Sequence, residues 1–315
     1  MIIRSNNKVI FVLFIFFCSM TSLFAEENKS RPTSDLNQRS MLWEISGRNL
    51  KQPSYLFGSW HMLCSTEIIF KDKVKWAIAN SQQLVLQNYF TRETDEDYFA
   101  RIKEFEHLIN GTPIYKIDDR TLRKKILKGI DRYYDLNIDR AKRVIYPVKR
   151  FTPFETFLFS YHSYIKGCRK PGSFSQMLYR HFSQQNAAVE AVGSYQQFIK
   201  DHQASGFMSA QALKDHFDHF EQQQALVLAM KKAYYLDENA HALSDKYFQF
   251  LNTEHTSGDL IKQHIFTANT QDWLLTVEPL ISQQSTFINI NALYLIGEGG
   301  LINTLKEAGC TLKPL

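Results

Sequence analysis

Short apolar runs near the two ends of the chain, separated by a long helical stretch, constrain most strongly what this sequence can fold into. Tyr55-Leu56-Phe57 and Leu84-Val85-Leu86 lie toward one end, and Thr286-Phe287-Ile288-Asn289-Ile290 and Cys310-Thr311-Leu312 toward the other. All four read as strands, and Leu84-Val85-Leu86, apolar throughout, as one in the middle of a sheet covered on both faces. Met41-Leu42-Trp43-Glu44-Ile45-Ser46 alternates instead, as a half-covered strand does. Gly47 to Pro53 separates it from Tyr55 as a turn, so the pair is expected to form a hairpin. The expected fold class is therefore α/β with an α+β tendency. A mixed sheet from both ends of the chain is flanked by helices, with a helical middle segment capping a cleft.

The helical reading covers Phe70–Asn80, with Val74, Ala77 and Ile78 on one face, then a charged stretch from Glu93 to about Asp139. It continues over Phe154–Lys166, Phe174–Gln184, Ser209–Leu251, Gly258–Ser282 and Leu301–Ala308. The longest of these has no Gly or Pro and divides near Asp237-Glu238-Asn239. Ala187-Ala188-Val189 reads as one further strand, and Gly297-Glu298-Gly299-Gly300 as a turn. Gly58 is expected to turn the backbone at the end of the Tyr55–Phe57 strand. That turn sets His61 at the carboxyl edge of the sheet, where α/β proteins place their chemistry.

Residues 1–25 read as a signal peptide: Arg4 and Lys8 form a basic start, Val9–Phe17 an apolar core, and Ser22-Leu23-Phe24-Ala25 the cleavage site. The apolar core is shorter than the roughly 20 residues of a spanning helix. Cleavage is expected, with no stable transmembrane segment afterwards and a periplasmic or secreted product. Residues 26–40 are a flexible lead-in, and 41–315 one domain whose helical middle runs over about 93–282. Loss of Arg4 and Lys8 leaves 35 Lys+Arg against 32 Asp+Glu, a balance too even for a nucleic-acid partner. Cys64, Cys168 and Cys310 remain, enough for one disulfide and one free thiol, with the pairing open.

With these elements placed, the chain resembles the TraB/GumN family, which includes the Tiki-like metallopeptidases. Leu42-Trp43-Glu44-Ile45 and Ser54-Tyr55-Leu56-Phe57-Gly58-Ser59-Trp60-His61 match its opening strand, turn and Gly-x-x-His. Gly309-Cys310-Thr311-Leu312-Lys313-Pro314 matches its closing Gly-Tyr-x-Val-x-Pro, and Val189-Glu190 its strand-end Leu-Glu. The resemblance implies a hydrolase site in which two Gly-x-x-His histidines and helping carboxylates hold a divalent metal that activates water. Position by position, the first histidine is kept, as His61, and so are the strand-end Glu190 and the amide Asn269. The other strand-end glutamate falls on Gln87, and the aspartate after Gly172 on Phe174 or Ser175. The Arg-Asn pair falls on Ala268-Asn269, and the second Gly-x-x-His on Asn291-Ala292-Leu293-Tyr294.

Losses of different chemical kinds at separate places imply a pseudoenzyme whose cleft is lined by Gln87, Ala268, Asn269, Asn291 and Tyr294. No metal and no other cofactor is expected, and the partner is an unidentified peptide or envelope protein. The alternative is a metallopeptidase-like hydrolase, using a divalent metal such as Mn or Co. Its site would be rebuilt around His61 and Glu190 as catalytic candidates, with Gln87 and Tyr294, and His61 would be the metal ligand. Two smaller motifs carry readings of their own. Cys64 could serve as a nucleophile beside His61. His216 and His219, at i and i+3, read as a solvated helix face before they read as ligands.

Overall fold

The computed structural model describes residues 39–88, 112–133, 151–165, 168, 172–193, 209–261, 270–297 and 299–315. The signal peptide, most of the lead-in, Glu93, Asp139, Ala268 and Asn269 lie outside the described residues. Six strands form one mixed sheet: β1 (Leu42–Gly47), β2 (Ser54–Ser59), β3 (Gln83–Asn88), β4 (Val189–Gly193), β5 (Thr286–Asn291) and β6 (Cys310–Pro314). Their order is β4-β3-β5-β2-β1-β6. β2, β5, β3 and β4 run parallel, and β1 pairs antiparallel with both β2 and β6. The sheet is thus assembled from both ends of the chain, as the apolar runs predict.

β2 is buried at all six positions because it has neighbours on both edges and cover on both faces. The β1–β2 hairpin turns through Gly47, Arg48 and Asn49, all at positive φ, a conformation that glycine and asparagine adopt most readily. On one face of the sheet, helix α1 (Asp72–Ala79) buries Val74, Ala77 and Ile78, and its Trp76 ring meets Tyr55 edge-on. Helix α2 (Arg120–Tyr133) and helix α3 (Pro153–Ser160) follow in the chain. Helix α4 (Phe174–Gln184) covers the same face as α1 by packing Phe174 on Phe57 and Phe182 on Phe287.

The long helical region is three helices: α5 (Ala210–Asp218), α6 (Phe220–Tyr235) and α7 (Ala240–Leu251). The predicted break at 237–239 is present, with Glu238 at positive φ and Asn239 capping α7 through its side chain. A second break at His219 has no glycine or proline to announce it; the residue leaves helical geometry at φ −113° and ψ 25°. The Gly258–Ser282 reading resolves into a short α8 (Gly258–Ile261) and α9 (Thr270–Gln283), with 262–269 outside the described residues. α9 lies on the opposite face of the sheet, where Gln83 Nε2 donates to Leu280 O at 3.0 Å. Helix α10 (Leu301–Glu307) packs beside β6.

Two local expectations change. The strand read at 187–189 begins only at Val189 and runs to Gly193, because Asn186 at positive φ still belongs to the turn after α4. Gly58 lies inside β2 and is required for space. A Cβ there would come within 2.3 Å of Leu295 Cδ1 and 3.0 Å of the Ala292 backbone. We predict that Gly58→Ala lowers unfolding stability by about 1–3 kcal/mol through overpacking, read as a lower urea midpoint. An unchanged midpoint would show that the Leu295 side chain moves aside at no cost.

Candidate functional site

The parallel strands end together, with Ser59 of β2 opposite Asn291 of β5 and Asn88 of β3 opposite Gly193 of β4. His61 leaves this edge two residues beyond β2 and is exposed. Its turn is clamped by the helical middle. Trp60 is buried beneath it, with the Tyr247 ring of α7 edge-on to Trp60 at 5.5 Å and 6.5 Å from the His61 ring. The hydroxyl of buried Tyr234 meets the Trp60 backbone. Desolvation, with smaller contributions from Tyr235 and Glu238, holds that phenol far above its ordinary ionisation range. Farther along, Gly172 N donates to Leu63 O at 2.9 Å, and Glu67 accepts from Cys64 N and from Lys231 of α6.

Cys64 and Cys168 form a disulfide, which among the described residues leaves Cys310 as the free cysteine, buried in β6. The bond answers the open pairing and removes the suggestion that Cys64 is a nucleophile, since its sulfur carries no thiol. It also fixes the far end of the loop that begins at His61.

One side chain read from the sequence, Asn291, meets His61, and Gln87 is linked to it through the Asn291 backbone. Asn291 Nδ2 donates to His61 Nδ1 at 3.1 Å, and Asn291 N donates to Gln87 Oε1 at 2.8 Å. Asn291 Oδ1 accepts from Leu293 N at 3.1 Å, capping the 3-10 turn Ala292–Tyr294. This cap fixes the orientation of the amide, so its NH2 end faces the imidazole. His61 Nδ1 is then an acceptor, and the ring proton sits on Nε2. Tyr294 is buried, with its ring 4.9 Å from that of Trp273 on α9.

Of the two positions offered for the missing aspartate, Phe174 is a core residue against Phe57 and Phe70, while Ser175 faces the sheet. Asn289 Nδ2 donates to Ser175 Oγ at 2.8 Å, and the buried Asn289 Oδ1 has no hydrogen-bond partner. Glu190 stands apart. It pairs with Val85, on the rung of Ile288 and Leu56, and is exposed on the edge strand. That is three rungs, or about 10 Å, behind the Ser59–Asn291 rung, and three strands, or about 14 Å, across from β2.

The donor set does not suit the metal that the resemblance implies. A histidine that ligates through Nε2 normally donates its Nδ1–H to a carboxylate or carbonyl. Here Nδ1 faces an amide NH2, which imposes the opposite tautomer. The bonds that link His61, Asn291 and Gln87 run through neutral amides and an imidazole. Such an edge can give and take hydrogen bonds without holding charge.

His216 and His219 do not share a face. His216 is completely buried between Phe157 and Phe250, whereas His219 is exposed and its Nδ1 lies 3.0 Å from Asp215 O. Sequence reasoning also missed Tyr247, whose helical spacing reads as core.

A six-stranded mixed sheet, with helices on both faces and a histidine-bearing turn at its carboxyl edge, defines an α/β protein. The TraB/PrgY/gumN family matches residues 41–314, and the chain belongs to that family. No curated protein and no solved structure matches it. Among the described residues, no helix is long and apolar enough to cross a membrane.

Proposed function

We propose that this is an exported, catalytically degenerate member of the family that binds a peptide or an envelope polypeptide at the sheet's carboxyl edge. The observation that carries the reading is the direction of the His61–Asn291 hydrogen bond, with the imidazole accepting from an amide. Asn88, Gln87 and Asn291 are all half-buried at the edge, and His61 is exposed there. Neutral amides of this kind match the alternating donors and acceptors of an extended polypeptide backbone. The hydrolase alternative draws less support, because Glu190 lies too far from His61 to take a proton from water beside it.

The test uses full-length protein with manganese or cobalt and a broad peptide library. No cleavage that depends on His61 is expected. In the double variant Gln87→Glu/Asn291→Asp, the new carboxylate at 291 can accept a hydrogen bond from Nδ1–H. The variant is expected to gain cobalt affinity that His61→Ala removes. Wild-type cleavage that disappears in His61→Ala would overturn the proposal.

A further inference from the structure

The structure points to a second site, remote from the cleft: we propose that Asp215, Glu254 and His255 bind one zinc-type divalent cation. One ligand atom from each residue lies within 4.8 Å of the other two. Asp215, in the last turn of α5, is 2% exposed and holds its Oδ2 at 2.7 Å from His255 Nδ1. Its other oxygen is only loosely compensated. Lys214 Nζ is 3.5 Å from Asp215 Oδ1 but 2.6 Å from Asp218 Oδ2, so that cation is engaged mainly elsewhere. Glu254 and His255 are exposed neighbours in the loop after α7.

That loop is stitched to itself. Thr253 and Thr256 pair as an isolated bridge, and Asn252 Oδ1 accepts from Gly258 N at 2.5 Å. The Thr256 hydroxyl, next to His255, is buried without a hydrogen-bond partner. With Lys214 engaged mainly by Asp218, the Asp215 and Glu254 carboxylates and the His255 ring stand together as a donor set that a divalent ion can bridge. One nitrogen and two oxygens are borderline donors that suit zinc better than magnesium or calcium. Bonds of roughly 2.0–2.2 Å require the donors to stand about 3.3–3.6 Å apart. The two exposed side chains reach that spacing by small rotations about a buried, immobile carboxylate. Tyr247 lies on α7, the helix that ends at this loop, so the ion would fasten the far end of the helix that steadies His61.

The experiment titrates chelator-treated full-length protein with zinc chloride alone, following heat of binding and thermal midpoint. Wild type is expected to bind one zinc per chain with a raised midpoint. His255→Ala should weaken binding by roughly 100-fold and Glu254→Gln by roughly 10-fold. Glu254→Gln alters only an exposed side chain, whereas His255→Ala also removes the partner of buried Asp215, so the metal-free thermal midpoint of each variant is measured first to establish that it is folded. His61→Ala should bind as wild type. No saturable binding by wild type, or full binding by a Glu254→Gln/His255→Ala double variant, would overturn the site. Binding lost in His61→Ala alone would overturn it too. That last result would place the ion in the cleft and count against the proposed function as well, whereas the other two leave the cleft reading untouched.

Discussion

Lowering the pH below 6.5 is expected to destabilise the protein steeply, and His216→Leu is expected to remove much of that slope. His216 is fully buried, and among the described residues neither ring nitrogen has a hydrogen-bond partner. Burial disfavours the imidazolium and moves the pKa from 6.5 down to about 3; Asp215 opposes the shift weakly and His219 adds to it. The folded-state value is therefore below the unfolded one. As pH falls from 6.5 toward about 3, the unfolded chain takes up a proton that the folded chain refuses. The stability linked to His216 is complete above 6.5 and is lost progressively over that window. The full span is worth up to about 5 kcal/mol.

Urea unfolding at a series of pH values measures this directly. His216→Leu should flatten the curve between about pH 6 and pH 4. It should also raise stability near neutrality by about 1–3 kcal/mol, since two buried nitrogens no longer lack partners. A slope unchanged by the substitution would assign the proton uptake to other groups. Glu238 and Glu67 titrate lower. Burial raises the pKa of each, but hydrogen bonds from lysines outweigh it: Lys71 and Lys73 for Glu238, and Lys231, with Cys64 N, for Glu67. With folded pKa values below the unfolded value of about 4.5, their contribution is present above that pH and lost as pH falls further.

Reducing the Cys64–Cys168 disulfide is expected to be the other large perturbation. The bond spans 104 residues, and a closure of that length stabilises the folded state by about 4–5 kcal/mol in the chain-entropy account. The loss should be local as well as global, since the bridge secures the loop that starts at His61. Denaturation with and without a thiol reductant, beside a Cys64→Ser/Cys168→Ser variant, gives the comparison. The reduced protein and the variant should lose similar stability, and both should bind a cleft peptide more weakly. Equal midpoints for oxidised and reduced protein would show that the clamps from Tyr234, Tyr247 and Glu67 suffice without the covalent link.

The sheet was legible because its chemistry is local. Leu84-Val85-Leu86 and Phe287-Ile288 are apolar without interruption, and only buried strands need that pattern. Val74, Ala77 and Ile78 gave the buried face of α1 by spacing alone. Where the sequence misled, the deciding contact was distant. Gly58 looks like a turn residue until Leu295, more than 200 positions away, is seen filling its missing side chain. The break at His219 has no local breaker, because Phe217 and Phe220 are both buried on either side of it. His216 carries no mark distinguishing it from His219, yet one lies in an aromatic core and the other in solvent. In the cleft, the resemblance supplied Gln87 and Asn291. The direction of their hydrogen bonds required coordinates, since it depends on the cap that Asn291 makes to Leu293.

The strand order has a consequence for how the chain acquires its shape. β5 lies between β2 and β3, so β2 and β3 have no direct pairing with each other, although they are close in sequence. The β1–β2 hairpin can form early, but β3 and β4 cannot join it until residues 286–291 arrive. The nascent chain must therefore carry two incomplete sheet fragments, each with an unpaired edge: the β1–β2 hairpin, which ends at Ser59, and the β3–β4 pair, complete only at Gly193, both waiting for β5 to begin at Thr286. Closing loops of that length before any reward is collected makes folding slow. It also leaves the immature chain more prone to aggregation than the finished one. β5 acts as a keystone, and the fold is completed by its late insertion.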